Sequence, residues 1–201
     1  MKKFWIAAIA LTMVICVSLP ASDAEIDVKA PLFSLPDSYG NKVSLSDYEG
    51  KWVVLEWINF DCPFVKKHYN SKNMQNLQKE YTKKGVVWLS ICSSAPGKQG
   101  NFNEDEINQR IRLNKAGMTA YLVDDKGKVG QMYGAKTTPH MFIINPKGML
   151  VYVGGIDDTA TPNEADIEKS KNYVKEVLDA LMAGKESPVK TTKSYGCSVK
   201  Y

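Results

Sequence analysis

An apolar, β-branched and aromatic run, Trp52-Val53-Val54-Leu55-Glu56-Trp57-Ile58-Asn59-Phe60, stops at Asp61-Cys62-Pro63-Phe64-Val65. The run has strand composition, and the residues after it carry helix-start signals: Asp61 as an N-cap and a proline in the first turn. The junction therefore places Cys62 at a helix N-terminus, where unpaired backbone N–H groups and the positive end of the helix dipole favour a thiolate. A thiolate is the nucleophile of redox chemistry, and a thiol at such a junction is a stronger candidate for it than a cysteine in the middle of a strand.

The rest of the chain supplies an α/β frame for that junction. Helical spacing from Cys62 to about Lys84, with Met74, Leu77 and Tyr81 on one face and a kink near Asn70-Ser71, is stopped by Gly85. Val86 to Ile91 reads as a second buried strand ending at Cys92, and a polar loop from Ser93 to Asn103 leads to a helix facing inward through Ile107, Ile111 and Leu113. Tyr121-Leu122-Val123 is a short strand, and Val129 to Tyr133 forms one or two helical turns. Met141–Ile144 and Leu150–Val153 form a hairpin around the turn Asn145-Pro146-Lys147-Gly148. A last amphipathic helix spans about Glu164 to Met182 and ends at Gly184. Alternating strands and helices followed by a hairpin predict a central mixed sheet flanked by helices. Adjacent parallel strands ending at Phe60 and Ile91 put Cys62 and Cys92 at the same carboxyl edge, where open α/β sheets place their sites.

Composition narrows the function classes. The chain has 201 residues, 44% hydrophobic and 24% charged, with a formal charge of +4; this is the balance of an ordinary globular domain, not of a nucleic-acid binder. The lysine doublets Lys66-Lys67 and Lys83-Lys84 read as solvated helix faces. Lys2-Lys3, the apolar stretch from Phe4 to Leu19 and the small-residue site Ser22-Asp23-Ala24 read as a secretory signal peptide over residues 1–24, with cleavage after Ala24. The expected location is thus the periplasm or outside, with an uncleaved membrane anchor as the alternative. Membrane contact is expected only through this segment.

Disulfides persist in such a compartment. Three cysteines remain after cleavage, Cys62, Cys92 and Cys197, so at most one intramolecular bridge forms and three pairings stay open. Cys197 lies in a polar, glycine-containing tail, residues 185–201, that reads as flexible and suits a resolving thiol; Cys92 is the second candidate partner. His140, next to Pro139, is an auxiliary candidate for stabilising the Cys62 thiolate or shuttling protons. His68, six positions after Cys62, falls on another helix face. No Cys-x-x-Cys or Cys-x-x-x-Cys pair supports metal binding, and no prosthetic group is implied.

The order Asn59-Phe60-Asp61-Cys62-Pro63-Phe64-Val65-Lys66, Tyr133-Gly134-Ala135, Thr138-Pro139 and Gly196-Cys197-Ser198-Val199-Lys200-Tyr201 resembles the peroxiredoxin-like (redoxin) branch of the thioredoxin superfamily, from about Ala30 to the C-terminus. The resemblance implies a thioredoxin-like three-layer fold over residues 25–184. It also implies a cis Pro139 beside the reactive sulfur and a Thr138 backbone that receives extended thiol or disulfide substrates. The departures matter equally. Val65 stands where thioredoxins carry their second cysteine, so Cys62 needs a distant or external partner thiol. Leu55 and Asn59 replace the proline and hydroxyl residue of the peroxiredoxin motif, which weighs against peroxide reduction. Thr137 and His140 flank the Thr-Pro step where relatives carry a cysteine and an acid. The expectation is an exported thiol-disulfide oxidoreductase with Cys62 as nucleophile, Cys197 as resolving thiol, Thr138-Pro139 as substrate shelf, and Cys92, His140 and Asn59 as auxiliaries. Its partners would be a thiol or disulfide protein and an external thiol reductant. A thiol-dependent peroxidase acting on hydroperoxides, and a non-catalytic module of the same fold, are the alternatives.

Overall fold

A strand that is apolar on both faces must be covered on both, and the strand before Cys62 is of that kind at every position but Glu56. In this computed structural model, which describes residues 24–201, strand β3 (Val53–Trp57) is buried at every position. The expected signal peptide lies outside the described residues apart from Ala24.

In chain order the elements before β3 are β1 (Ser34–Pro36) and β2 (Lys42–Ser44), which pair as a small hairpin. After it come α1 (Pro63–Asn70), α2 (Asn73–Lys83), β4 (Val87–Cys92), α3 (Glu104–Leu113), β5 (Ala120–Val123) and α4 (Lys128–Met132). Then follow β6 (Thr137–Thr138), β7 (His140–Ile144), β8 (Leu150–Gly154), α5 (Tyr173–Met182) and β9 (Cys197–Ser198). Five strands make the central sheet in the order β5-β4-β3-β7-β8; β3, β4 and β5 are parallel, β7 runs antiparallel to β3, and β8 runs antiparallel to β7. The mixed, helix-flanked sheet is the expected α/β, thioredoxin-like arrangement.

Period-two alternation along β3 sorts the core into two layers. Val54 and Ile58 face Val65, Tyr69, Met74, Leu77, Tyr81 and the α5 residues Val174, Val177 and Leu178. Val53, Leu55 and Trp57 face the N-terminal hairpin and α4 through Phe33, Leu35, Val129 and Tyr133. Glu56 points into the first layer and is fully buried, which raises its pKa. Four donors on three elements oppose that shift and hold its carboxylate: Trp88 Nε1 and Ser90 Oγ at 2.8 Å each, and Gln78 Nε2 and Tyr69 Oη at 3.1 Å each. Leaving any of these donors unpartnered in the core would cost about 1–3 kcal/mol, so this cluster ties α1 and α2 to the sheet.

Three local expectations change. The long helix after Cys62 is two helices, because Ser71 Oγ donates to the Lys67 carbonyl at 2.7 Å and Lys72 turns to φ 64°. The last helix begins at Tyr173, not Glu164: Asn172 caps it by accepting from Lys175 N at 2.9 Å, and Glu164–Lys169 is a separate 3-10 turn. Lys67, read as a solvated face, is fully buried, its Nζ 3.3 Å from Asp157 Oδ2 and donating to Thr159 O at 2.7 Å.

The tail is the largest departure. Instead of a flexible segment, residues 190–201 lie along the body of the domain. Thr192 N donates to Val153 O at 3.0 Å, Val199 N to Lys136 O at 3.1 Å, and the Lys200 carbonyl accepts from Ala95 N at 2.8 Å. Glycines make this approach possible. A Cβ on Gly154 would overlap Thr192, one on Gly130 would overlap Tyr201 and Ser93, and one on Gly196, at φ 131°, would overlap the Thr138 carbonyl. A polar segment docks here because its backbone groups find partners, which hydropathy alone does not reveal.

Candidate active site at the start of helix α1

The chain leaves β3 through a tight turn built by Asn59. Its side-chain oxygen accepts from Asp61 N at 2.9 Å, and its backbone carbonyl accepts from Cys62 N at 3.0 Å. Its amide nitrogen reaches Gln99 O at 3.2 Å. Asn59 thus shapes the turn that presents Cys62. The N-cap is Cys62 itself rather than Asp61: its carbonyl accepts the first helical bond from Lys66 N at 2.9 Å, Pro63 occupies N1, and Asp61 pairs instead with Arg110 at 3.2 Å.

Across from this turn lies a cis Thr138-Pro139 bond. Cys62 Sγ donates to the Thr138 carbonyl at 3.0 Å. Thr138 is paired through its backbone in β6 with Cys197 in β9, and Thr137 with Ser198. The shelf expected to receive an extended substrate is therefore occupied by the chain's own tail, with the second thiol opposite the shelf residue.

The electrostatics separate the two thiols. Burial pushes the Cys62 thiol up, but hydrogen bonds from the Cys197 thiol and from the backbone amides of Cys197 and Val65 outweigh it and hold Cys62 below the usual thiol range. The Val65 amide is one of the free donors of the helix N-terminus. Burial, the hydrogen bond to Cys62 and the Cys62 charge push Cys197 up to about 11. The pair thus loses its first proton from Cys62, while Cys197 keeps its proton as a donor. Cys62 is fully enclosed and Cys197 is partly exposed.

The other candidates lie elsewhere. Cys92 does end the neighbouring parallel strand, but its Sγ points at the Gly100 carbonyl at 3.3 Å and Ser94 Oγ at 3.5 Å. His140 is opposite Trp57 across β3 and β7, its ring 4.6 Å from that of Phe142, so strand alternation turns it to the sheet face away from Cys62. Burial and the nearby Lys136 charge lower its pKa to about 4, so it is neutral at pH 7, with its Nδ1 accepting from Lys136 N at 3.3 Å. The expected role beside the thiolate is corrected on both counts. His68 faces away from the sulfur, towards Tyr195 Oη at 3.0 Å. Among the described residues no three His, Cys, Asp or Glu side chains gather in a way that could hold a metal ion.

A low-pKa cysteine at a helix N-terminus, facing a cis-proline step on a mixed sheet of this topology, defines a thiol-based oxidoreductase of thioredoxin-like fold. The chain belongs to the AhpC/TSA family, whose model matches residues 26–153, a span that holds Cys62 and Pro139 but ends before Cys197. Among curated proteins it is similar to the thiol-disulfide oxidoreductase ResA of Halalkalibacterium halodurans, 28% identical over 170 residues that cover 78% of this chain and 90% of that protein. Among solved structures, an uncharacterized conserved protein from Geobacillus kaustophilus superposes with a TM-score of 0.76 at 27% identity, covering 92% of this chain and 98% of that one. A hypothetical protein from Sinorhizobium meliloti gives 0.74 at 24% identity, covering 90% and 96%, and supports the fold.

Proposed function

We propose that this protein is an exported thiol-disulfide oxidoreductase in which Cys62 is the nucleophile, Cys197 the resolving thiol and Thr138-Pro139 the shelf that aligns them. The observation that carries this reading is the pairing of Cys197 with Thr138 directly against the Cys62 sulfur. The Cys62 thiolate attacks a disulfide sulfur of the substrate, expelling one substrate thiolate. Cys197 then attacks Cys62 in the mixed disulfide, releasing the second substrate thiol and leaving a Cys62–Cys197 bridge for an external thiol reductant to open. Because β9 fills the shelf, a protein substrate gains the Thr138 edge only when the tail strand lifts. Cys92 takes no part.

Enclosure of Cys62 also favours a second reading, in which the oxidant is small. A hydroperoxide needs less tail movement than a protein does, and would convert Cys62 to a sulfenic acid with loss of water or alcohol, which Cys197 then condenses to the same disulfide. Non-reducing peptide mapping of the mature protein, before and after a disulfide substrate or hydroperoxide, tests both. A Cys62–Cys197 peptide is expected. A Cys62–Cys92 or an intermolecular link would remove Cys197 from the mechanism, and turnover with peroxide alone would select the second reading. N-terminal sequencing of the exported protein, expected to begin at Glu25, tests cleavage and export.

A further inference from the structure

Tyr195 and Cys197 flank Gly196, a bend at φ 131°; the Tyr195 hydroxyl reaches His68 on α1, while Cys197 pairs with Thr138 beside the N-cap of the same helix. Tyr195 Oη lies in a buried polar cluster that the mechanism above does not use. Asn73 Nδ2 donates to His68 Nδ1 at 2.8 Å, which leaves the His68 proton on Nε2, 3.0 Å from Tyr195 Oη. The tyrosine O–H in turn donates to Asp157 Oδ1, and Asp157 Oδ2 takes the Lys67 ammonium at 3.3 Å. Lys67, His68 and Asp157 are at most 2% exposed. Phe64 meets the Tyr195 ring edge-on at 5.9 Å, and the Lys67 ammonium lies 5.5 Å from its centroid.

Both ends of this arrangement are measured from one rigid element. Cys62 is the N-cap of α1, and Lys67 and His68 are on the same helix. A tail fixed to α1 through Tyr195 therefore holds Cys197, two residues on, at a set distance from Cys62. Gly196 between them lets the backbone press against the Thr138 carbonyl. Burying a lysine and an aspartate is costly unless each is fully paired, so the cluster tolerates little displacement of the hydroxyl that completes it.

We propose that Tyr195 is the positioning residue of the resolving thiol: its hydroxyl, locked by His68, Asp157 and Lys67, sets the effective concentration of Cys197 at Cys62. The inference rests on the reading of Cys62 and Cys197 as an exchanging pair and names the device that keeps the pair in register. The relevant reaction with glutathione disulfide balances simply. The Cys62 thiolate displaces one glutathione thiolate, Cys197 attacks the Cys62 sulfur and displaces the second, and the Cys197 proton leaves to solvent or thiolate; two protein thiols are oxidised and one glutathione disulfide is reduced.

The test is the equilibrium constant of the Cys62–Cys197 disulfide in glutathione buffers, measured by mass spectrometry on the full mature chain. Tyr195→Phe keeps the ring and removes the hydroxyl; it is expected to lower the constant about tenfold, or about 30 mV for a two-electron couple. His68→Gln, which retains a donor for the tyrosine oxygen, is expected to stay near wild type, and His68→Leu to behave like Tyr195→Phe and to stand in for it if that variant does not fold. A Tyr195→Phe protein with a lower Tm but an unchanged constant overturns the inference and leaves the exchanging pair intact. A wild-type protein that forms no Cys62–Cys197 disulfide at any glutathione ratio sinks the pair itself, and the positioning role with it.

Discussion

Two neighbouring parallel strands of this sheet, β3 and β4, each bring a cysteine to the same edge, Cys62 a few residues after β3 and Cys92 as the last residue of β4, yet their thiols have different surroundings. After β3 the chain turns through Asn59 into a helix, and Cys62 gains amide and thiol donors. After β4 it runs into the loop from Ser93, and the Cys92 thiol meets a carbonyl and a hydroxyl. Both sulfurs meet a carbonyl, Thr138 for Cys62 and Gly100 for Cys92, so the difference lies in the amide and thiol donors that Cys62 gains, which stabilise its thiolate. What makes a cysteine reactive at the carboxyl edge of a sheet is therefore the conformation that follows the strand, more than the strand end itself.

The largest effect expected from that contrast is on catalysis. Cys62→Ser should reduce disulfide exchange to the uncatalysed background, because the attacking sulfur itself is removed. A steady-state assay against a small aromatic disulfide measures it, and substantial turnover in the variant would move the nucleophile to another thiol.

The histidines give the next effect. His68 and His140 lie on opposite faces of the sheet and both are neutral when folded: burial and the Lys67 charge lower the first to about 3, and burial and the Lys136 charge lower the second to about 4. The unfolded chain takes up these protons near pH 6.5, before the folded one does, so stability is full above that pH and declines as pH falls towards 4. Each histidine contributes on the order of 2–3 kcal/mol to the decline. Urea unfolding at pH 7 and pH 4.5 should show it, and His140→Gln should flatten the slope while leaving the pH profile of Cys62 alkylation unchanged. A change in that profile would place His140 in electrostatic contact with the sulfur after all.

These residues also mark how far the chain could be read without coordinates. Cys62, the strand before it, the Thr138-Pro139 step and the hairpin were legible because period-two runs and proline or glycine punctuation are local signals. Lys67 was not, since a lysine on an amphipathic helix normally faces water, and the partners that make its burial tolerable, Asp157 and the Thr159 carbonyl, are far away in sequence. His140 was placed by adjacency to Pro139, whereas its direction is set by the pairing of β7 with β3. The tail hid its docking for a similar reason: Thr192, Gly196 and Cys197 are polar or small, and what holds them is backbone pairing to β8 and β6. The spacing of Gly154, Gly155 and Gly196 was the one available hint that two backbones approach closely.

A smaller effect isolates the donors. Cys197→Ala removes the thiol that donates to the Cys62 thiolate, so the midpoint of Cys62 alkylation should move to higher pH. Its rate at pH 7 should drop several-fold once normalised to the fully ionised rate. An unchanged midpoint would mean that the backbone amides of Val65 and of position 197 hold the thiolate without the second thiol.

The smallest effect tests the other half of the comparison. Cys92 packs beside Gly100, Ile107 and Tyr121, around a void of only ~10 Å³, close to the least that holds one water. Cys92→Ser shrinks the side chain slightly and keeps a donor for the Gly100 carbonyl, and the hydroxyl is a better donor than the thiol it replaces. The loss of apolar contact and the stronger hydrogen bond act in opposite directions, so stability should change by less than about 1 kcal/mol. Exchange activity should stay within about twofold of wild type, because no donor or acceptor of Cys62 has been touched. A tenfold loss of activity with normal stability would show that the two strand ends communicate, and that a thiol enclosed by carbonyl and hydroxyl acceptors still takes part in the chemistry of its neighbour.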